Sequence, residues 1–204
     1  MQREDGKEIY ILCGILRSIL SIIFKSEKGL GMNRYQMAKL VEWAGEIKTR
    51  KLLQKVIYLL QAAGCPFDAE YSLHLYGPYS QDVAQLTDEM VGVGLLEEEK
   101  KSNMVRGSSY SYRLGEKARQ SLHQLDESGK SQPWLDKLNK YQSKAQNLFK
   151  ESDLKKIEFA ATIVYFHKQG FDWEKALQAA AKFKDQKPTN QKMQEALKLA
   201  ETML

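Results

Sequence analysis

The chain has 204 residues, 43% hydrophobic and 28% charged, with a net charge of +5, enough for one large domain or two small ones around a sizeable core. Four prolines and the absence of any repeat or low-complexity tract exclude a solenoid and a long Pro-rich linker. Cys13 and Cys65 stand far apart and His74, His123 and His167 have no helical ligand spacing, which excludes a disulfide framework and a zinc motif and makes a reducing cytoplasm the expected compartment.

In chain order, the first element is the apolar run "YILCGILRSILSIIF" (10–24). It is shorter than the roughly twenty residues that span a bilayer and carries Arg17 at its centre. Acidic residues Glu4, Asp5 and Glu8 precede it, against the pattern of a signal peptide. A buried or partner-facing helix is expected, with no membrane association. Three uses stand open: packing on the next domain, pairing with a second copy in a homodimer, or binding a partner.

"KSEKGLG" (25–31) breaks the chain, and "MNRYQMAKLVEWAG" (32–45) reads as a short helix stopped near Gly45. "KTRKLLQKVIYLLQAAG" (48–64) is the strongest helix, with Leu52, Leu53, Val56, Ile57, Leu59 and Leu60 on a wide apolar face. Thr49 is its N-cap and Gly64 its stop. "YSLHLYG" (71–77) alternates and reads as one strand. Gly77-Pro78 then reads as a structural corner, ahead of a helix over 80–94 with Ser80 as N-cap and Asp82 in its first turn.

"LLEEEK" (95–100) and "SSYSYRL" (108–114) are strands joined through "KSNMVRG", and "GEKARQSLHQL" (115–125) returns to helix. "DESGKSQ" (126–132) is the one polar linker. Beyond it, one helix is predicted over 134–149, then a helix capped by Ser152 and ended by Gly170, one capped by Asp172, and a last one opened by Thr189. The expected fold is mainly α with a small antiparallel sheet. The divisions are an N-terminal extension (1–31), a winged-helix-like domain (32–125) and a C-terminal helical region (126–204) packed on it.

Two blocks, "RKLLQKVIYLLQ" (50–61) and "YGPYSQDV" (76–83), resemble the YwgA-like family and, at greater distance, the SocA-type antitoxin domain, also called Panacea. "IEFAATIVYF" (157–166) and Lys187-Pro188 are similar to the YwgA type. The resemblance covers about residues 32–204 and leaves the first 31 outside, so Met32 is an alternative start of translation. It implies a fold signature formed by Arg50, Lys51, Leu53, Gln54, Lys55, Tyr76, Gly77, Pro78, Tyr79 and Ser80, with no catalytic residues to carry over. SocA-type proteins neutralise toxins, in one type by delivering the toxin to a protease. The resemblance therefore implies a protein partner, a toxin or regulatory protein.

Sharper chemical readings of these residues are weak. Gly77-Pro78 lacks the glycines and N–H donors of a phosphate loop. His74, Ser80 and Asp82 sit close in sequence, yet Ser80 is better used as a cap, so no enzyme activity, cofactor or metal is expected. Winged-helix order raises DNA binding as the alternative function. The helix in the recognition position carries Asp82, Asp88 and Glu89 and no Lys or Arg, a poor match to phosphates. Candidate contacts to nucleic acid or a partner are Lys48, Arg50, Lys51 and Lys55 at the start of the strongest helix, and Lys100, Lys101 and Arg106 around the wing tip. For the first cluster, salt bridges to Glu42 and Glu46 are the equal alternative. Residues 32–118 carry eleven basic and eleven acidic side chains, whereas 119–204 carry fifteen and eleven. The C-terminal lysines Lys137, Lys140, Lys144, Lys150, Lys155 and Lys156 alternate with acids and read as a solvated face. The leading expectation is a non-enzymatic interaction module of antitoxin or regulatory type, acting through protein contacts.

Overall fold

The computed structural model describes residues 32–103 and 107–204. The apolar run 10–24, Cys13, the dimer expectation attached to that run, and the wing tip with Arg106 lie outside the described residues. The fold is mainly helical with two small antiparallel hairpins.

Helix α1 (Arg34–Ala44) starts on a capping box: the Asn33 side chain accepts from the Gln36 N–H, and the Gln36 side chain accepts from the Asn33 N–H, both at 2.9 Å. It ends at Gly45, whose φ is +69°. Helix α2 (Arg50–Ala62) opens as expected on Thr49, whose hydroxyl accepts from the Leu52 N–H at 3.0 Å. Leu53, Val56, Ile57, Leu59 and Leu60 are fully buried, so α2 is surrounded on most of its circumference. Between the two helices Ile47 exchanges two hydrogen bonds with Tyr112, both 2.9 Å.

The stretch expected as one strand is a tight hairpin. β1 (Ser72–His74) pairs antiparallel with β2 (Gly77–Tyr79), in the register Ser72 to Tyr79, Leu73 to Pro78 and His74 to Gly77. The corner is therefore Leu75-Tyr76, and Gly77-Pro78 belongs to the returning strand. A glycine at positive φ just after a two-residue tip lets the strands close with their natural twist, and Gly77 has φ +90°. Alternation of side chains cannot separate one seven-residue strand from two three-residue strands folded back on each other.

Ser80 caps helix α3 (Gln81–Gly92) as expected, accepting from the Val83 N–H at 3.3 Å. β3 (Leu96–Asn103) and β4 (Gly107–Leu114) form the second hairpin, with Leu96 opposite Leu114. Helix α4 (Glu116–Glu127) follows. The polar linker after it is short and tied down: Asp126 accepts from Tyr35 at 2.7 Å, Ser131 at 2.6 Å and Lys39 at 2.9 Å.

The single helix expected over 134–149 is two, α5 (Gln132–Asn139) and α6 (Gln142–Lys150), broken at Lys140-Tyr141. Leu138, Ala145 and Leu148 are all buried, so an apolar face kept across the break hides it from a periodicity count. Helix α7 (Leu154–Lys168) is capped by Asp153 rather than Ser152, its carboxylate accepting from the Lys155 and Lys156 N–H groups at 2.9 and 3.3 Å. Helix α8 (Trp173–Phe183) uses Asp172 as expected, and α9 (Gln191–Met203) uses Asn190 rather than Thr189. In both corrected cases the carboxylate or amide one residue closer to the helix supplies the acceptor.

Helices α2 and α7 are the two central elements. α7 packs on α2, α8, α9 and β2, while α2 also meets α6, β2 and β4. Buried residues from Met32 to Met203 form one hydrophobic cluster. Among the described residues, no helix is long and apolar enough to cross a membrane.

Candidate binding groove

The two sequence blocks that looked related meet through side-chain to backbone bonds. Gln54, buried in α2, donates its amide to the Ser80 carbonyl at 2.9 Å and accepts from the Ser80 N–H at 3.0 Å. The next residue, Lys55, donates its ammonium to the Pro78 carbonyl. A proline strand has no N–H to offer a neighbour, and here the Pro78 carbonyl and the Ser80 backbone are both held by one helix. Gly77 completes the junction. A Cβ built there lies 2.6 Å from Thr162 Oγ1 and 3.6 Å from the Glu158 carbonyl, so the hairpin seats directly on the backbone of α7.

This junction holds the hairpin tip over a groove of about 820 Å³. Its floor is Glu158 of α7. The Glu158 carboxylate accepts from Lys184 Nζ at 2.6 Å and lies 3.4 Å from Lys51 Nζ. Lys184 also donates to the Leu75 carbonyl at 3.1 Å, tying the tip to the segment after α8. Lys51 Nζ stands 3.7 Å from the centre of the Tyr76 ring, a cation–π contact. Phe159, Phe183 and Leu154 supply apolar walls, and Lys155 and Asp185 stand on the rim.

Burial controls the charges. Desolvation pulls the Lys55 ammonium down to about 8, opposed by Glu158 and assisted by the positive charges of Lys184 and Lys51. Burial likewise lowers Lys184, against its hydrogen bond to Glu158. Lys51 and Lys184 thus share the Glu158 carboxylate in a half-enclosed space with Lys55 buried behind it, while Leu75 at 75% and Tyr76 at 55% exposure project from the tip.

The basic residues singled out in the sequence divide sharply. Arg50 gives Nε to the Tyr112 hydroxyl at 2.7 Å and Nη2 to Asp88 at 2.7 Å and Glu98 at 3.1 Å, joining α2, α3, β3 and β4. The expected partners Glu42 and Glu46 are taken by Lys39 and Arg113 instead, because those side chains lie nearer once α1 and β4 pack. Lys55 is buried, Lys51 faces the groove, and Lys48 and Lys100 are exposed; the Lys101 side chain and Arg106 lie outside the described residues. Leu53 is core. Tyr79 packs its ring 4.9 Å from His74. His74, Ser80 and Asp82 have separate partners, on Ser72, Val83 and Glu70 respectively.

Sequence reasoning missed Glu158, Lys184, Leu75 and Phe183. Glu158 carries a signal in retrospect: it is an acid between Ile157 and Phe159, both buried on α7. Lys184 has none, since its role depends on a contact to a residue 109 positions away.

No family model matches the chain. It is similar to the Bacillus subtilis (strain 168) protein that bears the name Uncharacterized protein YwgA, at 30% identity over 173 residues, which span 82% of this chain and 94% of that protein.

Proposed function

The chain belongs to the YwgA family, and on that footing we propose that it is a non-enzymatic interaction module of antitoxin or regulatory type, working through protein contacts. One observation carries the reading. Leu75 and Tyr76 stand exposed at 75% and 55% on a hairpin whose backbone is held by Gln54, Lys55 and Lys184. A preformed apolar protrusion beside a groove offers buried area to a partner at little ordering cost. The antitoxin side of the proposal is supported by the likeness of the Leu-Gln-Lys and Tyr-Gly-Pro blocks to SocA-type domains. A cytoplasmic setting is supported by Cys65, a buried free thiol.

A winged-helix DNA-binding regulator is the second reading. The order of α1, α2, α3 and the β3–β4 hairpin supports it, together with the Ile47–Tyr112 bridge and exposed Lys48 and Lys100. It is weakened by Arg50, whose donors are engaged within the fold, and by the acids on α3.

Affinity capture from native-host lysate, with bound protein and nucleic acid identified together, separates the two. The wild-type chain is expected to retain a protein that the Leu75→Ser/Tyr76→Ser variant loses at unchanged melting temperature. A capture profile identical for both chains, or retention of DNA lost in Lys48→Glu/Lys100→Glu, overturns the first reading.

A further inference from the structure

We infer that the groove below the hairpin recognises an acidic peptide segment of the protein partner, with an Asp or Glu carboxylate at Lys51 and Lys184 and a neighbouring apolar side chain against Leu75, Tyr76 and Phe183. The inference rests on the interaction-module reading and names the chemistry of its partner.

Charge complementarity carries it. Beside Arg50, which Asp88 and Glu98 hold, the groove sets Lys51, Lys155 and Lys184 against the carboxylates of Glu158 and Asp185, which leaves one positive charge in excess. The buried Lys55 ammonium behind Pro78 adds a second. The Lys184 side chain is only 5% exposed, and Glu158 12%, so solvent screens this excess poorly. The Lys51 side chain is 40% exposed and lies farther from Glu158 than Lys184 does, so it faces both the acid and the open groove. An incoming carboxylate gains a charge-assisted hydrogen bond there, and Lys155 on the rim adds long-range attraction. A phosphate backbone fits less well: the walls are Leu75, Tyr76, Leu154, Phe159 and Phe183, and Glu158 and Asp185 would repel a run of closely spaced negative charges.

The test is selection of phage-displayed random heptapeptides on the full-length chain, followed by fluorescence anisotropy with synthetic copies. Enriched peptides are expected to carry Asp or Glu beside Phe, Leu, Trp or Tyr. Replacing that acid by its amide should weaken binding about tenfold, and Lys51→Met should weaken the acidic peptide while leaving the amide version unaffected. Lys184→Met, used alongside with melting temperature recorded, gives the same pattern if it folds. Enriched peptides without an acid, or acidic peptides that bind Lys51→Met equally well, overturn the inference and leave the interaction module standing. Absence of any enriched peptide, with Lys51-dependent binding of a 20-base-pair duplex, overturns both.

Discussion

Gly77 illustrates how one residue can be fixed twice over. Its φ of +90° excludes side chains on conformational grounds, and a Cβ would stand 2.6 Å from Thr162 Oγ1. Thr162 cannot easily retreat, because it is fully buried and its hydroxyl donates to the Glu158 carbonyl at 2.8 Å. Gly77→Ala is expected to cost about 2–4 kcal/mol, the sum of backbone strain and overpacking. Adding Thr162→Ala should recover the steric part and not the conformational part, so urea unfolding of the two single variants and the double variant separates them. The sequence marked Gly77 as a turn residue; that α7 presses against it was not legible, since nothing within several residues of Gly77 encodes an approach from position 162.

At the scale of elements, the bond between Gln54 and the Ser80 backbone joins α2 to the start of α3. Both backbone groups of Ser80 lie in a residue with no solvent exposure; its N–H donates to the Gln54 side chain, and its carbonyl accepts from Gln54 and from the Ala84 N–H at 3.3 Å. Gln54→Leu keeps the volume but orphans the buried Ser80 N–H and leaves the Ser80 carbonyl only its bond from the Ala84 N–H, which is expected to cost about 1–3 kcal/mol. Gln54→Glu retains the acceptor for the Ser80 N–H but sets an anionic oxygen against the Ser80 carbonyl, and should also destabilise. The readout is the denaturant midpoint, with hydrogen exchange at the Ser80 amide rising in both variants; unchanged exchange would show that the bond does not hold the junction. The helices, the second hairpin and the Thr49, Ser80 and Asp172 caps were legible because they follow from local periodicity and from acceptors next to a helix start. The break at Lys140-Tyr141 and the split of 71–77 into two strands were not, because in each case apolar spacing continues across a change of direction.

For the whole molecule, the buried ammonium groups set a pH dependence. Lys55 falls from its ordinary 10.5 to about 8 on folding, so between these values the unfolded chain binds more protons than the native one. Stability then rises with pH across that window, and below pH 8 the full cost of burying the charge is present. Lys184, also lowered, acts in the same direction. Tyr58 and Tyr71 are pushed above their ordinary 10 by burial, so the native state loses stability above pH 10. Between pH 7.5 and 9.5 the Lys55 contribution is a gain of about 1–2 kcal/mol, opposed by about 1 kcal/mol from the Cys65 thiol, which burial raises to about 12 so that the unfolded chain gives up its proton first. Urea unfolding at the two pH values measures it. Lys55→Met should remove the Lys55 contribution, and a variant whose pH profile runs parallel to the wild type would mean that the Lys55 ammonium is not buried in solution.

By itself, the sequence determined the helical class, the strong α2, the second hairpin, the Thr49, Ser80 and Asp172 caps, and the two blocks that mark the family. Each of these depends on residues within about one or two helical turns of one another, the range over which hydrophobic period and capping chemistry act. Only the tertiary structure decided where the charges go. It sent Arg50 into Asp88, Glu98 and Tyr112, buried Lys55 behind Pro78, and gathered Lys51, Glu158 and Lys184 under the Leu75-Tyr76 tip. Coulomb attraction and desolvation depend on distance in space, and the residues that meet in the groove lie as far apart in the chain as Leu75 and Lys184.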